Sequence, residues 1–221
     1  TKLEVNLTRL QHNINVVKKE IGNSTKLMAM VKALGYGSGG YQIAKLLEYN
    51  HIDYLGVAYT DEAIELRESG IQTPIMVLNP DLADLSPYVD MNIEPVIHSF
   101  ASLEKVCHSP LSIHLEFDTG MHRLGFEEQE LSTLVERLQA APSLHIASVF
   151  SHLASSDDAA MDNFTKQQIE TFSLISKNIE RQLSYTVTKH LANTAGIERF
   201  ANARFDMVRL GIGLYGLSPL G

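Results

Sequence analysis

Short apolar runs of strand length recur along the chain, and most are separated by segments whose apolar residues repeat at helical spacing. The runs predict strands at residues 3–7, 27–31, 54–58, 75–78, 94–97, 113–117, 145–150, 185–190 and 206–209. Strands that alternate with helices in this way are typical of an α/β protein whose sheet is mainly parallel.

The helical pattern is clearest in three places. The first predicted helix begins with Thr8 as its cap, and one of its faces carries Leu10, Ile14, Val17 and Ile21. A second lies between Thr60 and Ser69-Gly70, which are residues suited to the two ends of a helix. A longer apolar stripe predicts a third helix over 161–179.

An open doubly wound sheet and a closed eight-stranded barrel both fit this alternation. The strand count favours the closed (β/α)8 barrel of the TIM type, because nine candidates leave one spare. We expect the spare segment, 3–7, to lie outside the ring. No long linker, repeat or low-complexity tract divides the chain, so a single domain is predicted over residues 1–221.

Composition narrows the classes of function. The 221 residues are 44% apolar and 20% charged, as in ordinary folded proteins. The net charge of −8, with no cluster of Lys and Arg to offset it, disfavours nucleic-acid binding. The single cysteine, Cys107, cannot form an internal disulfide, and no targeting peptide or apolar run of membrane-spanning length is present, so we expect a cytoplasmic protein. The chain begins with Thr1, so we expect that it has been trimmed; we predict no metal site.

Lys32 is the first candidate for chemistry. It follows the apolar run 27–31 and should project from the carboxyl end of a buried strand, where barrel enzymes place their reactive groups. The segment 31–40 contains four glycines, which allow unusual backbone angles and close approach to a ligand. Taken alone, the segment also fits an exposed lysine beside a glycine turn.

Polar residues follow four further predicted strands. They are Arg123 after 113–117, His152 after 145–150, Asn193 and Thr194 at a predicted helix start after 185–190, and Arg209 with Gly211 and Ile212 at the last strand. Each has an ordinary structural explanation: an exposed turn arginine, a packed histidine, a helix N-cap and a salt bridge. Together they carry more weight, because an eight-stranded barrel brings all of its strand ends to one rim.

Three motifs, in this order, are similar to those of the alanine racemase family. They are Val-Lys-Ala-x-x-Tyr-Gly-x-Gly at 31–39, Asp-Thr-Gly-Met-x-Arg-Leu-Gly at 118–125 and Met-Val-Arg-x-Gly-Ile-x-Leu-Tyr-Gly at 207–216. The resemblance covers nearly the whole chain and implies the fold-type III barrel of enzymes that use pyridoxal 5'-phosphate. It also implies an isomerase, homodimeric when complete, that interconverts L- and D-alanine and supplies D-alanine for the peptidoglycan of the cell wall.

The resemblance assigns roles to the candidate residues. Lys32 matches the lysine that forms a Schiff base with the cofactor and shuttles the α-proton, which requires a neutral amine supplied by a nearby cation or by desolvation. Arg123 matches the arginine at the cofactor's phenolic oxygen and the substrate carboxylate, Arg209 matches the arginine beside the pyridine nitrogen, and His152 would pack against the ring. The phosphate would be held by Tyr36, Asn193, Thr194, Gly211 and Ile212.

The chain departs from the family pattern in two places. Glu116 stands where many relatives carry a lysine modified to a carbamate, and we expect this anion to replace the carbamate by pairing with Arg123. The family's C-terminal β domain, which lends a catalytic tyrosine to the partner's site, is absent from a sequence that ends at Gly221. We therefore expect residues 1–221 to bind cofactor but to racemise alanine weakly or not at all, because the proton must return on the opposite face.

Two alternatives stay open. A stand-alone barrel that stores or delivers pyridoxal phosphate would also be short, although the segments 36–39 and 209–212 are more similar to the racemase pattern. The chain also fits a racemase module fused to a cell-wall ligase. Serine stays open as a substrate beside alanine.

Overall fold

Eight parallel strands, each hydrogen-bonded to the next along the chain, close into a barrel in the computed structural model, which describes residues 2–183 and 185–220. The strands are β1 (Lys26–Met30), β2 (Tyr54–Val57), β3 (Ile75–Val77), β4 (Ile93–Ile97), β5 (Ser112–Glu116), β6 (His145–Phe150), β7 (Thr188–His190) and β8 (Met207–Leu210). The ring closes where β8 pairs with β1, with Lys26 opposite Met207 and Ala29 opposite Leu210. The predicted TIM-type barrel is confirmed.

One helix precedes β1, and the others connect successive strands. They are α1 (Leu7–Ile21), α2 (Lys32–Tyr36), α3 (Gly40–Tyr49), α4 (Thr60–Glu68), α5 (Ser86–Asp90), α6 (Phe100–Val106), α7 (Leu131–Gln139), α8 (Asp162–Gln182) and α9 (Thr194–Arg199). Short 3₁₀ turns lie at Glu128–Glu130, Ala159–Met161, Ala201–Ala203 and Ile212–Tyr215. Within the described ranges, none of the helices combines the length and apolar character needed to cross a membrane.

The predicted strand at 3–7 is wrong. Residues 2–6 have no regular structure, and α1 begins at Leu7. A closed barrel leaves no free strand edge with which this segment could pair. Asn6 instead caps α1, since its side-chain oxygen accepts a hydrogen bond from the Arg9 N–H at 3.1 Å. The predicted cap, Thr8, therefore lies inside the first helical turn.

The apolar core has two layers. A small cluster inside the barrel consists of Met28, Met30, Met76, Val96, Phe150 and Met207. A larger cluster lies between the strands and the helices and includes Ile14, Ile43 and Phe172. The barrel interior also holds buried polar side chains, although such barrels are mostly filled by branched apolar residues.

Candidate active site

A cavity of about 350 Å³ lies at the carboxyl ends of the barrel strands. This volume is within the range of about 300–1,000 Å³ that small-molecule sites usually occupy. Its lining includes every predicted site residue: Lys32, Tyr36, Arg123, His152, Asn193, Thr194, Arg209, Gly211 and Ile212. The structure thus gathers residues from five separate segments of the chain around one space, as expected for strand ends that share a rim.

Lys32 lies two residues beyond the end of β1 and opens a left-handed turn. Ala33, Leu34 and Tyr36 have φ angles of 53°, 52° and 54°, and the turn is closed by a 2.8 Å hydrogen bond from the Gly37 N–H to the Ala33 carbonyl. The glycines of this segment predict unusual backbone angles, but residues with side chains adopt them too. Each such residue costs about 1–2 kcal/mol in this conformation. Other contacts must therefore stabilise the backbone beside Lys32.

Glu62, in the first turn of α4, supplies one of these contacts. Its Oε1 accepts a hydrogen bond from the Ala33 N–H at 2.5 Å. Its Oε2 accepts bonds from the N–H groups of Ala58 at 2.7 Å and Tyr59 at 3.1 Å. One carboxylate therefore joins the peptide that follows Lys32 to the segment that follows β2. The sequence predicts a helix that starts near Thr60, but its pattern gives no sign of a contact between Glu62 and the Lys32 turn.

Arg209, on β8, is buried at the base of the cavity. Its Nη1 donates a hydrogen bond to Nδ1 of His190 at 2.6 Å. Its Nη2 donates to the backbone carbonyls of Ser151 at 2.6 Å and Leu191 at 3.1 Å. Among the described residues Nε donates to no protein acceptor, so one N–H is left for a ligand.

Three cationic side chains, those of Lys32, Arg123 and Arg209, line the cavity together with the carboxyl groups of Glu116 and Asp157. Burial lowers the pKa of Arg209 to about 10, with Glu116 opposing the shift and Arg123 adding to it, so the guanidinium is still charged at neutral pH. Burial, and then the positive charges of the two arginines and Lys32, lower the pKa of His152 to about 3. His152 is therefore neutral at neutral pH and presents an uncharged ring to the cavity.

Tyr36, Thr194 and Gly211 surround one small space at the wall of the cavity. The Thr194 Oγ1 accepts hydrogen bonds from the N–H groups of Gly211 at 3.1 Å and Gly213 at 3.4 Å. A Cβ placed on Gly211 would lie 3.2 Å from the Tyr36 hydroxyl and 3.7 Å from Thr194 Oγ1. Glycine therefore leaves open a space bordered by hydroxyl and amide donors, which suits the oxygens of an anion.

Asn193 lines the cavity but uses its side chain within the fold. Its Oδ1 accepts hydrogen bonds from the Gly196 N–H at 2.9 Å and the Ser156 hydroxyl at 2.7 Å, and its Nδ2 donates to the Leu153 carbonyl at 3.3 Å. The N-cap explanation therefore describes what this side chain does in the structure. Its contribution to the cavity is to fix the start of α9, where Thr194 lies.

The predicted ion pair between Glu116 and Arg123 is not formed. Within the described residues no ion pair joins these two side chains, because Glu116 is buried at the end of β5 whereas Arg123 lies in an exposed turn. Burial raises the pKa of Glu116, and the charges of Arg209 and then Arg123 oppose this rise. Arg209 is therefore the stronger electrostatic partner of Glu116.

Sequence analysis missed a set of buried polar residues behind Arg209. Glu94, His114, Ser148 and His190 are hydrogen-bonded to one another inside the barrel, and His190 contacts Arg209. The available signal was a polar residue that interrupts an apolar strand at an inward-facing position. In the described ranges, this set included, no three His, Cys, Asp or Glu side chains converge as ligands for a metal ion.

The fold and the cavity define a class of protein: a (β/α)8 barrel with a small-molecule site at the carboxyl ends of its strands, lined by lysine and arginine side chains. A model of the family described as "Alanine racemase, N-terminal domain" matches residues 5–219. The chain therefore belongs to the alanine racemase family, and it matches the N-terminal domain of that family.

Relatives agree with this assignment. The chain is 37% identical to the alanine racemase of Fusobacterium nucleatum, covering 99% of this chain and 61% of that protein. It is 34% identical to alanine racemase 2 of Caldanaerobacter subterraneus subsp. tengcongensis, covering 99% of this chain and 58% of that protein. The solved alanine racemase of Clostridium difficile 630 has a TM-score of 0.90 at 30% identity, covering 99% of this chain and 60% of that one. The chain thus spans between 58% and 61% of the length of these relatives.

Proposed function

We propose that this chain is the cofactor-binding barrel of an alanine racemase, an isomerase that uses pyridoxal 5'-phosphate. The observation that supports this most is that the Lys32 amine shares one cavity with the Tyr36, Thr194 and Gly211 space, with buried Arg209 and with His152. The Lys32 amine would hold pyridoxal phosphate until the amino group of the substrate takes its place, and the cofactor would then supply the electron withdrawal that lets the α-proton leave.

The residues at the cavity wall fit the phosphate of this cofactor. The hydroxyl groups of Tyr36 and Thr194 and the N–H group of Ile212 would donate hydrogen bonds to its oxygens. The N–H group of Gly211, which donates to Thr194 Oγ1, would orient that hydroxyl. A side chain at position 211 would fill the space that these donors border. The lysine and arginine side chains of the cavity add a favourable charge for a phosphate group.

Arg209 and His152 fit the ring of the cofactor. Among the described residues, the Arg209 Nε–H has no hydrogen-bond acceptor and could donate to the pyridine nitrogen of the cofactor. A charged guanidinium would donate this hydrogen bond without transferring its proton. An unprotonated ring nitrogen withdraws electrons less strongly, which favours rapid return of the α-proton over competing reactions. His152, neutral because of its low pKa, packs against the ring without adding another positive charge.

Lys32 and Arg123 complete the proposed site. The Lys32 amine would remove and return the α-proton on its own face of the substrate, and the Arg123 guanidinium would bind the substrate carboxylate. A related structure from Bacillus anthracis carries bound L-Ala-P, and one from Clostridium difficile is a complex with cycloserine. These small ligands support alanine as the substrate of the complete protein.

Racemisation needs a second proton-transfer group on the opposite face. The matched relatives are longer than this chain, and we place that group outside residues 2–220, in a homodimer of the complete enzyme. Residues 1–221 alone would then bind the cofactor and racemise alanine only weakly. In the cell, the complete enzyme would act in the cytoplasm and supply D-alanine for peptidoglycan.

A titration with pyridoxal phosphate, followed by visible absorbance, tests the proposal. The wild-type protein should develop the absorbance of a lysine-bound cofactor, and Lys32→Ala should not. Lys26→Ala is the matched control, because Lys26 lies at the opposite end of the same strand. Equal absorbance in the wild type and in Lys32→Ala would contradict the proposal. Exchange of the alanine α-proton with deuterated solvent by the loaded protein would distinguish a racemase part from a cofactor carrier.

A further inference from the structure

A continuous set of polar side chains crosses the interior of the barrel. Five neighbouring strands, β4 to β8, each contribute one member: Glu94, His114, Ser148, His190 and Arg209. All five are buried, and the two histidines have no exposed surface. Because a buried polar group is costly unless it is hydrogen-bonded, the arrangement of the bonds decides whether this set is stable.

Four hydrogen bonds join the five side chains end to end. They link Arg209 Nη1 to His190 Nδ1 at 2.6 Å, His190 Nε2 to Ser148 Oγ at 2.8 Å, Ser148 Oγ to His114 Nδ1 at 2.6 Å, and His114 Nε2 to Glu94 Oε2 at 2.8 Å. Each imidazole therefore uses both of its nitrogens. We call this set the interior chain.

The two ends of the interior chain fix the direction of every proton. Arg209 can only donate, so Nδ1 of His190 must accept, and the proton of that neutral ring lies on Nε2. Ser148 accepts this proton and donates its own to Nδ1 of His114, whose Nε2–H then points at the Glu94 carboxylate, an acceptor only. Burial, and then the charge of Arg209, hold the pKa of His190 well below its ordinary value, in agreement with a neutral ring.

We propose that Glu94, His114, Ser148 and His190 are positioning residues, which hold the Arg209 guanidinium in one orientation at the base of the cavity. The inference rests on the proposed function only in its last step, in which the oriented guanidinium donates to the ring nitrogen of the cofactor. The hydrogen bonds themselves need no cofactor.

Glu94 selects the direction although it lies four hydrogen bonds from Arg209. If the far end of the interior chain were a donor, every bond could reverse, and a proton would lie on Nδ1 of His190. That proton would face the Nη1 protons of Arg209, and the two groups would separate. An ionised carboxylate at Glu94 excludes this reversed arrangement, because it cannot donate. Burial, followed by the Glu94 charge, raises the pKa of Tyr54.

Nitrogen-15 NMR of the 221-residue protein without cofactor tests the proposal. In the wild type, His190 should be neutral with its proton on Nε2, His114 should carry a proton on Nε2, and the Arg209 Nη protons should exchange slowly with solvent. Ser148→Ala removes the middle link and should accelerate this exchange at least about tenfold, the loss expected for roughly 1.4 kcal/mol. Ser176→Ala is the control, since Ser176 is equally buried but donates to the Ser173 carbonyl within α8.

Glu94→Gln serves as a second variant, because its amide offers both a donor and an acceptor to His114. It should give a smaller acceleration than Ser148→Ala, and a cofactor titration should show about tenfold weaker binding for Ser148→Ala than for Ser176→Ala. A proton on Nδ1 of His190 in the wild type, or unchanged Arg209 exchange in Ser148→Ala, would overturn the proposal. If Ser148→Ala does not fold, the position of the His190 proton in the wild type still tests the proposal.

Failure of the proposed function would look different. The wild-type protein would then develop no cofactor absorbance. Its imidazole and guanidinium NMR signals would still be those expected of the interior chain.

Discussion

Replacing Glu62 by glutamine tests how the turn beside Lys32 is held. Ala33, Leu34 and Tyr36 adopt left-handed angles that together cost about 3–6 kcal/mol. The Glu62 carboxylate accepts three backbone N–H bonds, one of them from Ala33. In Glu62→Gln, one acceptor oxygen remains, and an NH₂ group faces backbone donors with which it cannot bond.

The size of the effect follows from the burial of Glu62. A buried hydrogen bond to a charged group contributes about 1.5–3 kcal/mol, and water can replace part of this at half-buried Glu62. We therefore expect the free energy of unfolding to fall by about 1–2 kcal/mol in a urea titration. Pyridoxal phosphate should bind about tenfold more weakly, because roughly 1.4 kcal/mol corresponds to a factor of ten.

The control for this prediction is Glu65→Gln, on the exposed side of the same helix. It should match the wild type in both measurements. If Glu62→Gln also unfolds and binds cofactor as the wild type does, other contacts hold the turn and the reasoning is wrong.

Three further changes have defined outcomes. Gly211→Ala places a Cβ 3.2 Å from the Tyr36 hydroxyl. It should weaken cofactor binding at least about tenfold in an absorbance titration, with little change in thermal unfolding. Binding equal to that of the wild type would show that the space beside Gly211 does not hold the phosphate. Gly125 has a φ of 121°, and Gly125→Ala places a Cβ 2.5 Å from the Asp118 backbone nitrogen. The change should lower the free energy of unfolding by about 2–3 kcal/mol. An unchanged midpoint of unfolding in urea would argue against this clash. Folding lowers the pKa of His152 from 6.5 to about 3, so below pH 6.5 the unfolded chain binds a proton that the folded protein does not. His152 should therefore lower the free energy of unfolding by about 1.4 kcal/mol for each pH unit as the pH falls from 6 to 4. In His152→Gln, the free energy of unfolding should depend less steeply on pH over this range.

The barrel could be predicted from the sequence because parallel strands that are buried on both faces read as apolar runs between helical segments. Eight of the nine predicted runs correspond to strands of the ring. The segment 3–7 shows why the ninth does not: its apolar and polar residues alternate as in a strand, but a strand forms only where a partner strand offers free hydrogen-bonding groups. The pattern of one segment contains no information about such a partner.

The cavity residues could be predicted because each lies on the last part of a strand or in the segment that follows one, and a barrel collects its strand ends. Contacts between distant segments could not be predicted in this way. Glu62 reaches Ala33 across 29 positions in the chain, and the interior chain depends on which strands are neighbours. The expected pairing of Glu116 with Arg123 failed for a different reason: the two residues are close in sequence, but one side chain is buried and the other is exposed.

The central claim is that the amine of Lys32 holds the cofactor. Reduction of the protein with borohydride in the presence of pyridoxal phosphate fixes the cofactor to the lysine that carries it, and mass spectrometry of the digested protein then identifies this residue. We predict a single modified site, Lys32, just beyond the end of β1. Modification of a different lysine, or modification spread evenly over several exposed lysines, would contradict the claim.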